Sequence, residues 1–444
     1  MIVSLANKHV AIIGGGCAGL SAAAALVDKG FQVTIFESSP QLGGRARTVA
    51  VENNNLMQLL DNGQHILLGA YRETLALLRK AGVDETQVFL RLPLQINMQF
   101  TSEKSAFSLK SVDFLPAPLN MLFGLLCCRG LSFSERMSAI KLMLHLKKMH
   151  YQVASDTPLA EFLMQHRQSA KLLKMLWEPL CLAALNTPIE IASTSIFLNI
   201  LRDTFMGNKR NSDFLLPRLD LSRMISQPIT QYIQAKGGEI KLNKRINKLK
   251  IEANGFSLET KEGTSYFSDV VIAVSPARID KLIGDIPTLQ HALQQTQAFV
   301  YQPIYTIYFQ YPADIKLPRV MTGLTNALGQ WVFDRGQLCG QIGLVAVIVS
   351  AKGKHQQRSQ DELALTIAEE LNLAFSDLPK PLWYKVIAEK RATFSCEVNL
   401  ARPTNRTAQP RLFLAGDYTY ADYPATIEGA IRSGIKCAEL IANT

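Results

Sequence analysis

Three glycines near the start of the chain have the spacing with which dinucleotide-binding proteins hold phosphates. Gly14, Gly16 and Gly19 form a G-x-G-x-x-G pattern that includes Cys17 and Ala18. In such a pattern the first glycine permits a tight turn, the second lets the backbone approach a pyrophosphate, and the third lets a helix pack against a strand. The chemistry indicated is the binding of a dinucleotide by backbone N–H groups, provided that the glycines join a strand to a helix.

The residues on either side of the glycines supply that context. Residues 10–13 are apolar and predict a strand, residues 20–29 are alanine-rich and predict a helix, and residues 31–36 predict a second strand that ends at Glu37. The helix would present free N–H groups and a partial positive charge to the phosphates. A carboxylate at the end of the second strand can accept hydrogen bonds from a ribose. We therefore expect Glu37 to bind the ribose.

A second glycine pattern, Gly43-Gly44-Arg45, follows shortly after Glu37. It resembles a loop of the amine oxidase and carotenoid desaturase superfamily of FAD enzymes. The resemblance implies FAD as the cofactor, with Gly44 giving clearance below the pyrophosphate and Arg45 pairing with phosphate oxygens. An ordinary surface turn is the alternative for two adjacent glycines. The spacing from Glu37 and the arginine favour the FAD loop.

A third segment completes the pattern near the end of the sequence. A predicted strand ends at Gly416 and Asp417, and a predicted helix begins near Thr426 and Ile427. In the superfamily that these motifs resemble, the aspartate hydrogen-bonds the FAD ribityl chain. The next helix there directs its positive N-terminus at the flavin and stabilises the anionic reduced ring. All four residues are therefore expected to contact FAD.

The order of these segments predicts a discontinuous domain. The resemblance implies a mixed α/β and α+β fold of the amine-oxidase type, in which a Rossmann-like FAD-binding domain carries an inserted substrate domain of mixed sheet and helices. We assign residues 1–75, 213–285 and 406–444 to the FAD-binding domain, and residues 76–212 and 286–405 to the substrate domain. The same resemblance places backbone groups of Ile246 beside the adenine.

Asp61 and His65 are the titratable residues closest in sequence to the expected flavin edge. They belong to the string 61–71, which, with the strings 177–188 and 192–203, resembles the hydroxysqualene dehydroxylases, the squalene-associated FAD-dependent desaturases of hopanoid biosynthesis. This resemblance covers essentially the whole chain. It implies that Gly63 and Gln64 lie beside the flavin and that reduced FAD gives a hydride to hydroxysqualene, which loses its hydroxyl to form squalene.

Such a reaction needs a proton donor at the leaving oxygen, because hydroxide is a poor leaving group. It also needs an apolar tunnel for a thirty-carbon chain. Histidine titrates near neutral pH, so His65 is the candidate acid, or the residue that orients a water, with Asp61 in support. A structural role is the alternative for both residues: Asp61 as the cap of a turn, and His65 as a partner of the backbone.

The cysteines and the apolar runs bear on the location of the protein. The seven cysteines are scattered without C-x-x-C spacing, which argues against a disulfide framework or a metal site and suits a reducing cytosol. The sequence shows no signal peptide and no run of eighteen apolar residues. We therefore expect a cytoplasmic protein without bound metal.

The formal net charge of +10 raises the question of an anionic partner. The densest basic run, within 241–250, lacks the interleaved aromatic residues that stack on bases, so nucleic acid is not expected. A C30 isoprenoid substrate has to be taken from a membrane. Residues 114–126 are apolar but too short to span a bilayer, and basic residues follow within 113–150, namely Arg129, Arg136, Lys141, Lys147 and Lys148. We expect peripheral contact with the inner face of the cytoplasmic membrane there; a buried helical part of the substrate domain is the alternative.

Two further functions stay open on the sequence alone. One is an oxidising isoprenoid desaturase or amine oxidase of the same superfamily, which would move the hydride in the opposite direction. The other is a flavin-bearing partner of a squalene-synthase-like protein without turnover of its own. Association with squalene-synthase-like enzymes is also compatible with the catalytic hypothesis. The sequence has no second G-x-G-x-x-G, so the electron donor is not identified.

Overall fold

The computed structural model describes residues 8–53, 56–100, 106–376 and 378–444, so residues 1–7 of the first predicted FAD segment lie outside the described part. The α-helices in chain order are α1 (Cys17–Asp28), α2 (Arg72–Lys80), α3 (Glu85–Val88), α4 (Leu119–Cys127), α5 (Phe133–Lys148), α6 (Leu159–Gln165), α7 (Ala170–Leu172), α8 (Glu178–Leu185), α9 (Thr194–Phe205), α10 (Gln227–Ala235), α11 (Asp280–Ile283), α12 (Gln290–Gln297), α13 (Arg335–Cys339), α14 (Gln360–Ala374) and α15 (Ile427–Ala442).

The strands are β1 (His9–Ile13), β2 (Gln32–Phe36), β3 (Thr48–Asn53), β4 (Leu56–Asp61), β5 (Leu67–Leu68), β6 (Phe89–Leu92), β7 (Gln95–Phe100), β8 (Ala106–Lys110), β9 (Phe214–Pro217), β10 (Glu239–Lys241), β11 (Lys248–Glu252), β12 (Gly255–Thr260), β13 (Gly263–Phe267), β14 (Asp269–Ile272), β15 (Tyr301–Gln310), β16 (Met321–Thr325), β17 (Trp331–Asp334), β18 (Leu344–Ser350), β19 (Trp383–Phe394) and β20 (Leu412–Leu414). Short 3₁₀ turns cover Lys209–Ser212, Pro276–Arg278, Pro287–Leu289, Lys354–Gln357 and Asp417–Thr419, and π-helical turns cover Leu173–Trp177 and Ser222–Ser226.

A five-stranded parallel sheet joins three distant parts of the chain. Its strand order is β10-β2-β1-β14-β20, and each neighbouring pair is parallel. Helix α1 connects β1 to β2 and packs against α15. Parallel strands are covered by helices on both faces and are therefore apolar throughout, as the buried run Val10, Ala11 and Ile12 illustrates. The predicted Rossmann-like, discontinuous fold class is confirmed.

A second, seven-stranded sheet builds the inserted part. Its order is β19-β15-β18-β17-β16-β7-β8, so β7 and β8 join the five strands from β15 to β19 in one sheet despite their separation in sequence. Neighbouring strands are antiparallel except β16 and β7. Helix α14 covers one face, where Ile367 and Leu371 share a core with Ile307 and Val347. The mixed sheet expected of the insertion is therefore present.

A small third sheet connects the two parts. Strand β9 pairs with β5 on one side and with β6 on the other. The predicted division at residues 75 and 213 therefore runs through a sheet at this point, and the domain bounds themselves stay a prediction.

Most of the remaining helices belong to the first insertion. Helix α5 begins with a capping box, in which Ser132 and Glu135 bond each other's backbone N–H groups, as the spacing S-x-x-E in the sequence predicts. Within the described ranges, none of the helices combines the length and the apolar composition that a membrane span requires.

Candidate functional site

Two glycine loops face each other at the end of β1. The Gly43 N–H donates to the Gly15 carbonyl at 2.9 Å. A β-carbon placed on Gly16 would lie 4.0 Å from the Gly44 Cα, and one placed on Gly44 would lie 3.3 Å from the Gly16 Cα. The space between the loops is therefore one that side chains would fill, and glycine keeps it open for a ligand. This cradle is suited to a pyrophosphate.

Backbone donors converge on that cradle from α1. The first hydrogen bond of the helix runs from the Leu20 N–H to the Gly16 carbonyl, so the N–H groups of Cys17, Ala18 and Gly19 have no partner within the helix. Gly19 is required for close packing, since a β-carbon there would lie 1.9 Å from the Gly14 carbonyl oxygen. The predicted phosphate-binding turn has the geometry that its role demands.

Glu37 ends β2 and is held by two backbone groups. Its carboxylate accepts from the Gly15 N–H and from the Ser39 N–H, each at 2.8 Å. The Ser38 hydroxyl also approaches the carboxylate, at 3.4 Å, and because a carboxylate has four acceptor sites, acceptor capacity remains for a ribose hydroxyl. The Lys244 N–H donates to the Glu37 carbonyl, which ties the segment before Ile246 to this corner. Ile246 is itself buried.

Arg45 and Asp417 form an ion pair. The Arg45 Nη2 lies 2.7 Å from the Asp417 Oδ2, and Nη1 donates to the Ala392 carbonyl at 2.7 Å. The family resemblance implies that these residues contact different parts of FAD, and the structure brings them into direct contact with each other. The guanidinium has five donors, so several remain for a phosphate or a ribityl oxygen.

The N-terminus of α15 follows Asp417. Thr426 is its N-cap, and the Thr426 hydroxyl accepts from the Gly429 N–H at 3.0 Å. Because the side chain caps Gly429, the N–H groups of Ile427 and Glu428 are left without a partner inside the helix. Gly416 is fixed separately, since its N–H donates to the Ser433 hydroxyl at 2.9 Å.

Asp61 is buried at the end of β4. Its Oδ1 accepts from the Leu221 N–H at 2.9 Å, and its carbonyl accepts from the Tyr308 hydroxyl at 2.9 Å. Burial raises the pKa of the Asp61 carboxyl, and the charge of Arg335 opposes that rise. The predicted role as a cap is compatible with the Leu221 contact, and a supporting role for His65 stays a prediction.

Arg335 is the residue at this site that sequence reasoning missed. Its side chain is only 4 % exposed, and its Nη2 lies 3.6 Å from the Asp61 Oδ2. The same guanidinium donates to the Gln64 Oε1 and to the Gln341 Oε1. Arg335 thereby holds both ends of the segment from Asp61 to Gln64. Its only signal in the sequence is a charged residue directly after the apolar strand β17.

His65 lies at the end of that segment, half-buried. Its Nδ1 is 2.9 Å from the Gly63 carbonyl oxygen, so Nδ1 carries a proton and Nε2 is the atom that remains for substrate or water. Burial lowers the pKa of His65. The backbone bond foreseen for a structural histidine is thus present, and it orients the ring without occupying Nε2.

The polar groups around this segment fit the expected cofactor. Four buried hydroxyls have no hydrogen-bond partner among the described residues, and the three that bear on this site are those of Thr306, Tyr301 and Tyr418. A β-carbon on Gly63 would lie 3.8 Å from the Thr306 Oγ1, and the Tyr418 ring packs on Gly416. Buried polar groups are normally satisfied, so these hydroxyls, with the glycine cradle, suit a ligand as rich in hydrogen-bonding groups as FAD.

Comparison with known proteins agrees with this geometry. The profile of the flavin-containing amine oxidoreductases matches residues 17–442. A hydroxysqualene dehydroxylase of Zymomonas mobilis is 28% identical over 97% of this chain and 98% of its own. A 15-cis-phytoene desaturase of Solanum lycopersicum is 25% identical over 98% of this chain and 77% of its own.

A solved structure shows that the fold is shared with a known oxidase. The cyclohexylamine oxidase of Brevibacterium oxydans superposes with a TM-score of 0.72 at 16% identity, over 98% of this chain and 99% of that chain. Because the family profile extends over nearly the whole sequence, the expectation drawn from the glycine and Gly-Asp motifs is confirmed. The chain belongs to the flavin-containing amine oxidoreductase family and is an FAD-dependent oxidoreductase.

Proposed function

We propose that this protein reduces hydroxysqualene to squalene. The observation that carries the proposal is the similarity to a hydroxysqualene dehydroxylase along practically the full length of both chains. The strings around Asp61 and Trp177, on which the same assignment was predicted, are consistent with it.

The residues of the nucleotide corner would hold FAD. Those with a proposed contact are Gly14, Gly16, Cys17, Ala18, Gly19, Glu37, Gly44, Arg45, Gly63, Gln64, Ile246, Gly416, Asp417, Thr426 and Ile427. Reduced FAD, when bound, supplies the hydride that replaces the hydroxyl of the substrate. The chain contributes orientation, exclusion of water and a proton.

His65 is the proposed source of that proton. The leaving oxygen departs as water only if it receives a proton. Because the His65 Nδ1–H is bonded to the Gly63 carbonyl, the proton has to be delivered from Nε2 of the doubly protonated ring, directly or through a water that His65 orients. Because the pKa of His65 is lowered, the protonated ring is a stronger acid, but a smaller fraction of the protein carries it at neutral pH.

Asp61 and Arg335 are proposed as positioning residues. Neither needs to touch the substrate, since both have partners within the chain: each other, the Leu221 N–H and the Thr48 hydroxyl for Asp61, and Gln64 and Gln341 for Arg335. A buried charge without a partner is strongly destabilising, so the pair holds the segment from Asp61 to His65 in one conformation. The carboxylate also favours the protonated form of His65 by electrostatic attraction.

We further propose that α4 and α5 contact the inner face of the cytoplasmic membrane. Leu119, Phe123 and Leu126 are exposed at i, i+4 and i+7 on one face of α4. Phe114 is 73% exposed and packs edge-on against Phe123, with ring centroids 5.8 Å apart. We define these four residues as the apolar face. Basic residues follow this face along the chain, from Arg129 to Lys148, and an apolar face accompanied by basic residues is typical of helices that lie in a membrane interface.

A test of the membrane contact should substitute exposed residues and leave the core unchanged. Leu122 is half-buried and packs against the main core, so its replacement would destabilise the fold. Leu119→Ser, Phe123→Ser and Leu126→Ser change exposed positions instead. The triple variant should lose sedimentation with vesicles while keeping FAD. Unchanged sedimentation would contradict docking through this face.

The reaction is tested with the holoenzyme under anaerobic conditions. Dithionite-reduced protein mixed with hydroxysqualene should yield squalene together with reoxidised flavin. Oxidised protein mixed with squalene or phytoene should leave the flavin oxidised. Flavin reduction by phytoene, or by squalene, would favour the oxidising desaturase, a function that the similarity to a phytoene desaturase keeps as the second candidate.

A protein that only carries flavin would give neither reaction. Association with a squalene-synthase-like enzyme, which would pass on the substrate, belongs to the same proposal. It predicts that the two purified proteins co-elute and that squalene forms faster in the mixture than the diffusion of free hydroxysqualene allows. Independent elution and equal rates would contradict it.

A further inference from the structure

An open groove lies between α5 and the end of α6. Its volume is about 600 Å³. One wall is formed by the exposed side of α5, and the other by the residues after α6. Its lining residues are Phe133, Ser134, Met137, Ser138, Lys141, Leu142, His145, His166 and Arg167. The groove lies outside the FAD site and plays no part in the reaction proposed above.

The lining of the groove contains cations and imidazoles but no carboxylate. Among the described residues, neither Lys141 nor Arg167 has an acidic side chain within 4.0 Å of its charged nitrogens. The rings of His145 and His166 lie 5.1 Å apart. The His166 Nδ1 donates to the Phe162 carbonyl at 2.9 Å, which fixes that ring. The charge of this groove is complementary to an anion.

A hydrogen-bond chain that begins in the core and ends at the surface holds the backbone of Arg167. Trp177 donates its indole N–H to the Gln168 Oε1 at 3.0 Å, and the Gln168 Nε2 donates to the Ser138 hydroxyl at 3.0 Å. That hydroxyl donates in turn to the Arg167 carbonyl at 3.0 Å. Arg167 has a backbone φ of +58°, a left-handed conformation that residues other than glycine adopt rarely. Trp177, which the reaction does not use, is thereby linked through Gln168 and Ser138 to the backbone of Arg167 at the groove.

The groove lies on α5, the helix that also carries part of the proposed membrane surface. It shares α5 with the basic residues Lys147 and Lys148, and Phe133, which is 69% exposed, stands at its edge. Phe133, Met137 and Leu142 give it an apolar side. A ligand with a phosphate next to hydrocarbon would satisfy both the cations and the apolar wall.

We infer that this groove, the headgroup groove, binds the phosphate of an anionic phospholipid and so orients the protein on the bilayer. The inference rests on the proposed membrane docking and specifies its lipid. Apolar insertion by α4 would provide affinity for any bilayer, whereas Lys141 and Arg167 would provide the preference for an anionic one.

The test compares vesicles of phosphatidylcholine alone with vesicles that also contain phosphatidylglycerol. The holoenzyme with Lys141→Gln and Arg167→Gln should bind the anionic vesicles about 10- to 30-fold more weakly, as expected for two lost charges near the surface. Its binding to phosphatidylcholine should be unchanged. A matched control, Arg245→Gln with Lys248→Gln, removes two exposed charges from another surface and should change neither affinity by more than about twofold.

Different outcomes distinguish phospholipid binding in the headgroup groove from membrane docking through α4. Loss of binding to both vesicles in the triple α4 variant, with the groove variant as predicted, supports both. Equal binding of the wild type to the two vesicles, or an equal loss in the control variant, would overturn the headgroup groove and leave docking intact. Wild type that binds neither vesicle would overturn both.

A direct measurement of the site completes the test. Monomeric short-chain phosphatidylglycerol should shift the NMR signals of the His145 and His166 rings and leave that of His291 unshifted. Inorganic phosphate at equal ionic strength should produce a smaller shift. Equal shifts with phosphate would show a site for free phosphate and overturn the lipid assignment, as would unshifted signals with the lipid.

Discussion

Replacement of Gly16 by alanine separates cofactor binding from folding. Gly16 has φ −79° and ψ −178°, an extended conformation that alanine adopts without strain. The added β-carbon would lie 4.0 Å from its nearest neighbour, Gly44, which is ordinary contact. It would nevertheless project into the cradle between the two glycine loops, where the pyrophosphate is expected.

These distances set the magnitudes of both effects. The free energy of unfolding without FAD should be unchanged or should rise by about 0.4–1 kcal/mol, because alanine restricts the unfolded chain. A phosphate displaced from one backbone N–H loses a charge-assisted hydrogen bond worth about 1.5–3 kcal/mol. Since 1.4 kcal/mol is a factor of ten, the Kd for FAD should rise by about 10- to 150-fold.

Gly82→Ala is the matched control with the opposite expectation. Gly82 has φ +80° and no atom within 4 Å of an added β-carbon, so alanine there should cost about 1–2 kcal/mol of stability and leave FAD affinity unchanged. Urea unfolding of FAD-free protein measures the first quantity, and titration by flavin fluorescence measures the second. A Gly16→Ala protein that folds normally and binds FAD as the wild type does would refute the assignment of the cradle.

Three further changes test the rest of the site. His65→Ala should keep FAD and slow squalene formation by about 10²–10⁴-fold. In the wild type the rate should rise as the pH falls through the lowered pKa of His65, because the protonated ring is the active form. A single-turnover rate that does not change with pH would count against His65 as the acid. Glu37→Ala should weaken FAD binding by about 1–3 kcal/mol, the cost of unpaired ribose hydroxyls, and an unchanged Kd would exclude Glu37 as the ribose ligand. Arg335→Met should lower the free energy of unfolding by about 3 kcal/mol, since it leaves Asp61 buried without its cation. Adding Asp61→Asn to this variant should recover part of that loss. If the loss in the double variant equals the sum of the losses in the two single variants, the two residues are not coupled.

The helix capping box and the phosphate turn could be predicted from the sequence because both depend on neighbouring residues. Ser132 and Glu135 lie three positions apart and bond each other's backbone. The turn from Gly14 to Gly19 depends on which residues lack a β-carbon, and that is written in the sequence directly. The first and last segments of the parallel sheet were also recognised, because each carries its own short motif, whereas the middle segment was assigned through the family resemblance.

The substrate side could not be predicted in the same way. Gln64 and Arg335 are 271 positions apart, and the same guanidinium contacts Asp61. No local pattern records such a pairing, since it arises only when the seven-stranded sheet brings α13 against the end of β4. The contact between Arg45 and Asp417 has the same origin in the packing of distant loops.

The surface of α4 and α5 likewise combines features that the sequence indicates with features that only the fold decides. Composition alone indicated an apolar and basic segment, but it could not distinguish the half-buried Leu122 from the exposed Phe123. Packing decides which face of a helix is covered, because burial depends on the neighbours that the fold supplies. The sequence by itself therefore determined the cofactor, the parallel sheet and the local turns; the tertiary structure alone decided which distant charges pair and which apolar side chains remain exposed.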